Sequence, residues 1–217
     1  FSFDYYDAVF CSGDGQVKSL RALEAIRHTA AKFLPLVGCP YLDGLVARAK
    51  QLTTGPEANT VIVAPTWGRN GMAAVEKELA GFKNIEWDRN PDGFASLSRA
   101  SVMVSDVSGV IFDFAFVFLR PVVTIGNGPL KDGFEAWEVP HPAWETAAMD
   151  ELGARVLPGQ EASVAETVKT LLTDTTDRVE RIRLLREKNA VNFGCAGGAV
   201  ADELIKMEAQ LSGADCA

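Results

Sequence analysis

Histidine and cysteine are both scarce in these 217 residues: His28 and His141 are the only histidines, and the four cysteines lie far apart. Cys11, Cys39, Cys195 and Cys216 form no C-x-x-C pair. That argues against a cysteine-built metal site and fits reduced thiols in a cytosolic protein. Positive charge is in deficit as well, with 21 Lys and Arg against 29 Asp and Glu and a net charge of −8. A main partner that is nucleic acid or an anionic membrane surface is therefore disfavoured, although one phosphorylated small molecule could still find a local basic pocket. Long apolar runs are missing too, the longest (114–119) falling far short of the ~20 residues that span a bilayer. The chain opens Phe-Ser-Phe-Asp with no initiator Met, basic n-region or signal-peptide core, and the expectation is a piece of something longer. No H-E-x-x-H, P-loop, G-x-S-x-G or strand-borne G-x-G-x-x-G occurs.

What is present is enough apolar material, 47%, to bury a full core. The length suits one large domain, or one domain carrying part of another. Short β-branched runs alternate with amphipathic segments. Strands are expected at 8–11, 33–37, 60–64, 85–87, 101–105, 121–125 and 155–157. Helices are expected at 16–28, 42–52, 73–80, 110–118, 164–172, 177–189 and 199–211. Runs such as Val102-Met-Val104 and Val122-Val123 read as strands covered on both faces. Strand–helix–strand repeated in this way predicts an α/β fold, a parallel sheet with helices on both faces. Periodicity breaks over 51–59, at Thr53-Thr-Gly-Pro56, which predicts a boundary there. Arg178, Arg181, Arg183 and Arg186 stand among Glu180 and Glu187, the pattern of a solvated, salt-bridged helix face.

The most informative stretch runs from Ser101 to Ala115. A buried strand ends at Ser105, Asp106 to Gly109 make a turn, and a helix begins near Ser108–Val110. In open parallel sheets, ligands sit beyond the carboxyl ends of strands, where helix N-termini present unpaired N–H groups and a positive dipole end. A phosphate suits that place. Ser108 adds a hydroxyl donor, and Gly109, lacking Cβ, lets the backbone come close. Plain capping by Asp106 or Ser108 with nothing bound is the alternative. Asp113, one turn further among Ile111, Phe112, Phe114 and Phe116, needs a partner. A ribose diol can donate to it twice, and the helix dipole is the bland alternative. A second loop, Val63-Ala-Pro-Thr-Trp-Gly-Arg69, brings the Thr66 hydroxyl and the Arg69 cation to a strand end, where Arg69 could pair with a diphosphate. His141, in Val-Pro-His-Pro between Trp137 and Trp144, is a candidate for touching substrate. His28, late in a helix, is read as exposed and idle.

Three elements, Gly38-Cys-Pro-Tyr-Leu-Asp43, Ala64-Pro-Thr-Trp67 and Ser105-Asp-Val-Ser-Gly-Val-Ile-Phe-Asp113, resemble in order the G-x-P-R-x-D, A-P-T-W/F-R and T-D-Y-S-S-x-x-F-D signatures of the CDP-glycerol glycerophosphotransferases. These are teichoic-acid and capsule polymer enzymes of GT-B fold. Lys83-Asn-Ile85 and Asn192-Phe-Gly194 also fit, so the resemblance covers most of the chain. It implies that residues 1–52 are the tail of an N-terminal GT-B domain and that 53–217 form the C-terminal donor-nucleotide domain, Rossmann-like in its sheet. The implied activity is transfer of glycerol phosphate from CDP-glycerol to a polymer hydroxyl with release of CMP and no cofactor. Ser108, Gly109, Asp106, Thr66 and Arg69 would hold the diphosphate and Asp113 the ribose. Helix amides would stabilise charge where no metal-ligand cluster exists. A base supplied by absent parts would leave this piece binding a cytidine nucleotide weakly and catalysing nothing alone.

The implied place is the cytoplasm, with contact at the inner membrane face through missing parts. Tyr41, Val107 and Gly109 depart from the family's Arg, Tyr and second Ser. Between Arg69 and Phe82 there is room for one helix, where the family has a helix, a strand with a His-Pro turn, and a helix. A GT-B enzyme using a UDP-sugar, such as a glycosyltransferase or 2-epimerase, and a non-catalytic GT-B-like scaffold are the alternatives.

Overall fold

The computed structural model describes residues 3–66, 71–126, 138–173 and 176–214. Four short runs, β1 (Val61–Val63), β2 (Val102–Ser105), β3 (Val122–Ile125) and β4 (Gly153–Val156), pair in that order as one parallel sheet. β2 is buried at every position and β3 at all but its last, as strands covered on both faces must be. The helices are α1 (Asp14–Arg27), α2 (Pro40–Ala49), α3 (Gly71–Leu79), α4 (Phe94–Arg99), α5 (Val110–Phe118), α6 (Trp144–Leu152), α7 (Val164–Thr173), α8 (Thr176–Asn189) and α9 (Ala196–Ala214).

Strand alternation sends side chains to two cores. Met103 and Val122 pack with Leu42, Phe114, Met149 and Ile182 of α2, α5, α6 and α8. Val102, Val104, Val123 and Val156 meet Val164, Val168 and Leu171 of α7 on the other face. The chain is therefore α/β and Rossmann-like, with helices on both faces of a parallel sheet, as the alternating pattern predicts. Among the described residues, no helix is long and apolar enough to cross a membrane.

Residues 8–37 form a strand–helix–strand unit. Its two extended runs meet through parallel bridges, Ala8 to Phe33 and Cys11 to Leu36, rather than a full ladder. Gly38, at φ +90°, joins this unit to α2 and packs on the segment after α8: a Cβ there would lie 2.1 Å from the Val191 carbonyl oxygen, so only glycine permits the approach. Pro40 starts α2 at a position that needs no N–H. One turn on, Asp43 reaches across to α9 and accepts from the amides of Ala196 (3.1 Å) and Gly197 (2.7 Å). A carboxylate from one helix thus caps another, where both unpaired amides and the dipole favour it. Asp43→Ala should cost about 1 kcal/mol of stability in urea denaturation and speed exchange of those two amides. Unchanged stability with unchanged exchange would contradict the cap.

Three expectations need correction. Residues 85–87 form no strand: Ile-Glu-Trp alternates, but no neighbouring strand pairs with it. Two helices, α4 and α6, arise where none was expected. α4 is only six residues with two serines, and α6 follows Pro-His-Pro with modest apolar content. Among the described residues between β1 and α4 there is a single helix, α3, as the short spacing predicts.

Candidate functional site

β1 and β2 end side by side, and the turns that follow them are tied together. Thr66 donates both its amide (2.8 Å) and its hydroxyl (2.6 Å) to Asp106 Oδ1. Below them the Ser105 hydroxyl donates to the Ala64 carbonyl at 2.5 Å. Two expected ligand groups therefore meet each other at the mouth of the two loops. The Thr66 hydroxyl proton and one Asp106 oxygen are committed to each other, so the pair braces the two loops.

α5 starts directly after Gly109, and no side chain caps it. Asp106 is turned to Thr66, and Ser108 caps nothing, so neither forms the cap that was the alternative reading. Gly109, Phe112, Asp113 and Phe116 recur at i, i+3, i+4 and i+7 and share one helix face. That face, with Ser108, walls a cavity of about 470 Å³, within the range of small-molecule sites. Trp144, Glu145 and Met149 of α6 form the opposite wall, and Ser12, Cys39, Leu42 and Asn189 contribute from the strand–helix–strand unit, α2 and α8. Phe112 and Trp144 meet across it with ring centroids 4.9 Å apart. A second cavity, of about 270 Å³, lies at the amino ends of the strands beside Asn59, Ser101 and Pro121, away from the helix start.

The cavity's titratable groups are acids. Burial pushes the Asp113 carboxyl up to about 6, against the opposing effect of the Tyr41 hydroxyl that donates to its Oδ2 at 3.3 Å. Burial also raises Tyr41, and the Asp113 charge adds to this. Glu145, at the first turn of α6, is raised by burial too. No Lys, Arg or His is among the described residues that line the cavity, and no cluster of metal-type ligands occurs among the described residues.

Of the residues singled out in the sequence, Ser108, Gly109 and Asp113 come together on this cavity, with Thr66 and Asp106 braced behind its mouth. Arg69 and Trp137 lie outside the described residues. His141 does not line the cavity; its Nδ1 lies 3.2 Å from the carbonyl of Pro142. Glu145 and Asn189 were not foreseen. The adjoining Pro-His-Pro was a faint signal for Glu145, and nothing in the sequence marked Asn189, which tertiary packing alone delivers.

No protein-family model and no curated protein sequence matches the chain. Solved structures do. Wall teichoic acid polymerase TagF, in a variant soaked with CDPG, superposes with a TM-score of 0.58 at 15% identity over 95% of this chain and 59% of its own. A second TagF variant gives 0.56 at 15% identity over 97% and 61%, and TagF itself gives 0.54. The chain spans about three fifths of the length of these structures. It shares the α/β fold of the matched part of TagF, consistent with a Rossmann-like GT-B fragment.

Proposed function

We propose that this chain is the donor-nucleotide portion of a CDP-glycerol-dependent glycerophosphotransferase, holding the CDP end of the donor while glycerol phosphate passes to a polymer hydroxyl. The supporting observation is the cavity that opens at the uncapped start of α5, beyond the carboxyl ends of a parallel sheet. There the amides at Gly109 and Val110, with the Ser108 hydroxyl, hold the diphosphate. One turn along, Asp113 accepts from the ribose hydroxyls, and the aromatic walls enclose the base. Thr66 and Asp106 keep the two loops in register. Transfer forms a bond from the polymer hydroxyl oxygen to the donor's glycerol-bearing phosphorus, breaks that phosphorus's bond to the bridging oxygen of CMP, and passes the hydroxyl proton to a general base. The negative charge that develops on CMP then falls to the α5 amides. Further support comes from the motif resemblance and from the shared fold of TagF, whose structure is known after soaking with CDPG.

Calorimetry with CDP-glycerol and CDP on the full chain tests it. Saturable one-to-one binding that also perturbs the Gly109 and Asp113 amides is the expected result. The absence of saturable heat with either nucleotide up to millimolar concentration would sink it, and tighter binding of UDP-GlcNAc would favour a UDP-sugar enzyme.

One observation favours a second reading. The cavity has no cation among its described lining residues, and Tyr41 stands where the resembled family has Arg. A non-catalytic scaffold that kept the fold and lost the site would show no detectable affinity for CDP-glycerol, CDP or UDP-GlcNAc.

A further inference from the structure

Asn189 ends α8 on the cavity lining and is 5% exposed. Its Nδ2 donates to the Leu185 carbonyl at 3.0 Å. That bond fixes the amide, because half a turn would set Oδ1 against the carbonyl, acceptor against acceptor. So oriented, Oδ1 is buried and accepts from no group among the described residues. A buried amide oxygen without a donor carries a desolvation penalty, and a ligand N–H would relieve it.

The surroundings narrow the kind of ligand. Phe112, Phe116, Trp144 and Met149 give aromatic and aliphatic walls, which suit a flat ring. The acidic groups on those walls, Asp113 and Glu145, are acceptors when ionised. Along α5 the diphosphate place at Ser108 and Gly109 precedes the ribose place at Asp113, leaving the remaining lining, with Phe116, Met149 and Asn189, for the base. Resting on the nucleotide reading above, we propose that Asn189 is the specificity-determining residue of this site. Its Oδ1 accepts a hydrogen bond from the exocyclic amino group of an aminopyrimidine base and so selects cytidine over uridine nucleotides. Uridine has a carbonyl oxygen where cytidine has that amino group, so two acceptors would meet in a site screened from water.

Calorimetry on the full chain with CDP and UDP decides this. Wild type should bind CDP at least about tenfold more tightly than UDP, the discrimination expected when a buried acceptor gains or loses its donor. Asn189→Ala should bring the two affinities to within about twofold, through a loss on the CDP side and relief of the acceptor–acceptor contact on the UDP side. If that variant does not fold, the Asn189 side-chain amide resonances of ¹⁵N-labelled wild type carry the test: CDP shifts them and UDP does not. Equal affinities in wild type, an unchanged ratio in a folded Asn189→Ala, or resonances indifferent to CDP would overturn the assignment while leaving nucleotide binding intact. Failure of both nucleotides to bind would instead remove the nucleotide reading, and this assignment with it.

Discussion

Gly109→Val should leave the protein as stable as wild type, within about 0.5 kcal/mol in urea, yet cost at least about thirtyfold in CDP affinity. The two halves of this expectation come from different features of one residue. Gly109 has ordinary right-handed helical backbone angles (φ −56°, ψ −28°), so a larger residue meets no backbone strain. Leaving aside its chain neighbours and its own helix backbone, a Cβ placed there finds no atom of the described residues within 4 Å, so none of these resists it. The fold therefore gives no reason for glycine at this position. A phosphate does, because it must approach the first amides of α5 closely enough to accept from them. A branched side chain stands in that approach. Several charge-assisted hydrogen bonds would lengthen together, each worth about 1.5–3 kcal/mol. Unchanged CDP affinity in the valine variant would show that the diphosphate is held elsewhere.

The sheet was legible because its strands carry their burial in their own composition. Val102-Met-Val104 and Val122-Val123 are apolar at consecutive positions, which only strands covered on both faces require. The turn after β2 was equally open to reading, since Ser108 and Gly109 stand between that strand and a helix that is apolar except for Asp113. Residues 85–87 misled because alternation describes a half-buried strand only if another strand is there to pair with it. α6 escaped notice because its buried residues, Ala148, Met149 and Leu152, are few and two prolines precede it. For the site, local pattern reached the residues on α5, whose spacing puts them on one face. It could not reach Asn189 or Glu145, which other helices bring to the same cavity from 76 and 32 residues beyond Asp113. Nor could it show that Thr66 and Asp106 would find each other before any ligand.

Asp113→Asn should make the free protein more stable at pH 7–8 by about 1–2 kcal/mol while weakening CDP binding by about tenfold or more. Burial holds the Asp113 carboxyl up to about 6 in the folded chain, against about 3.9 for an unfolded aspartate. The folded state thus binds this proton more tightly. Below pH 4 the group is protonated in both states and carries no penalty. Between pH 4 and 6 the unfolded chain ionises first, so its share of stability falls as pH rises, and above 6 the whole penalty is present. The full shift corresponds to about 3 kcal/mol, which partial exposure and solvent screening reduce to the smaller figure. Asparagine removes the penalty and still accepts from Tyr41, so wild type and variant should converge in stability as pH falls toward 4. Binding moves the opposite way. An ionised carboxylate can accept from two ribose hydroxyls at once, whereas an amide has one oxygen and no charge. CDP affinity of the wild type should therefore climb through pH 6 as Asp113 ionises, and the variant should lack that climb. A variant less stable than wild type at pH 7, or one that binds CDP with the same affinity and pH profile, would show that this carboxylate serves the fold and not the nucleotide.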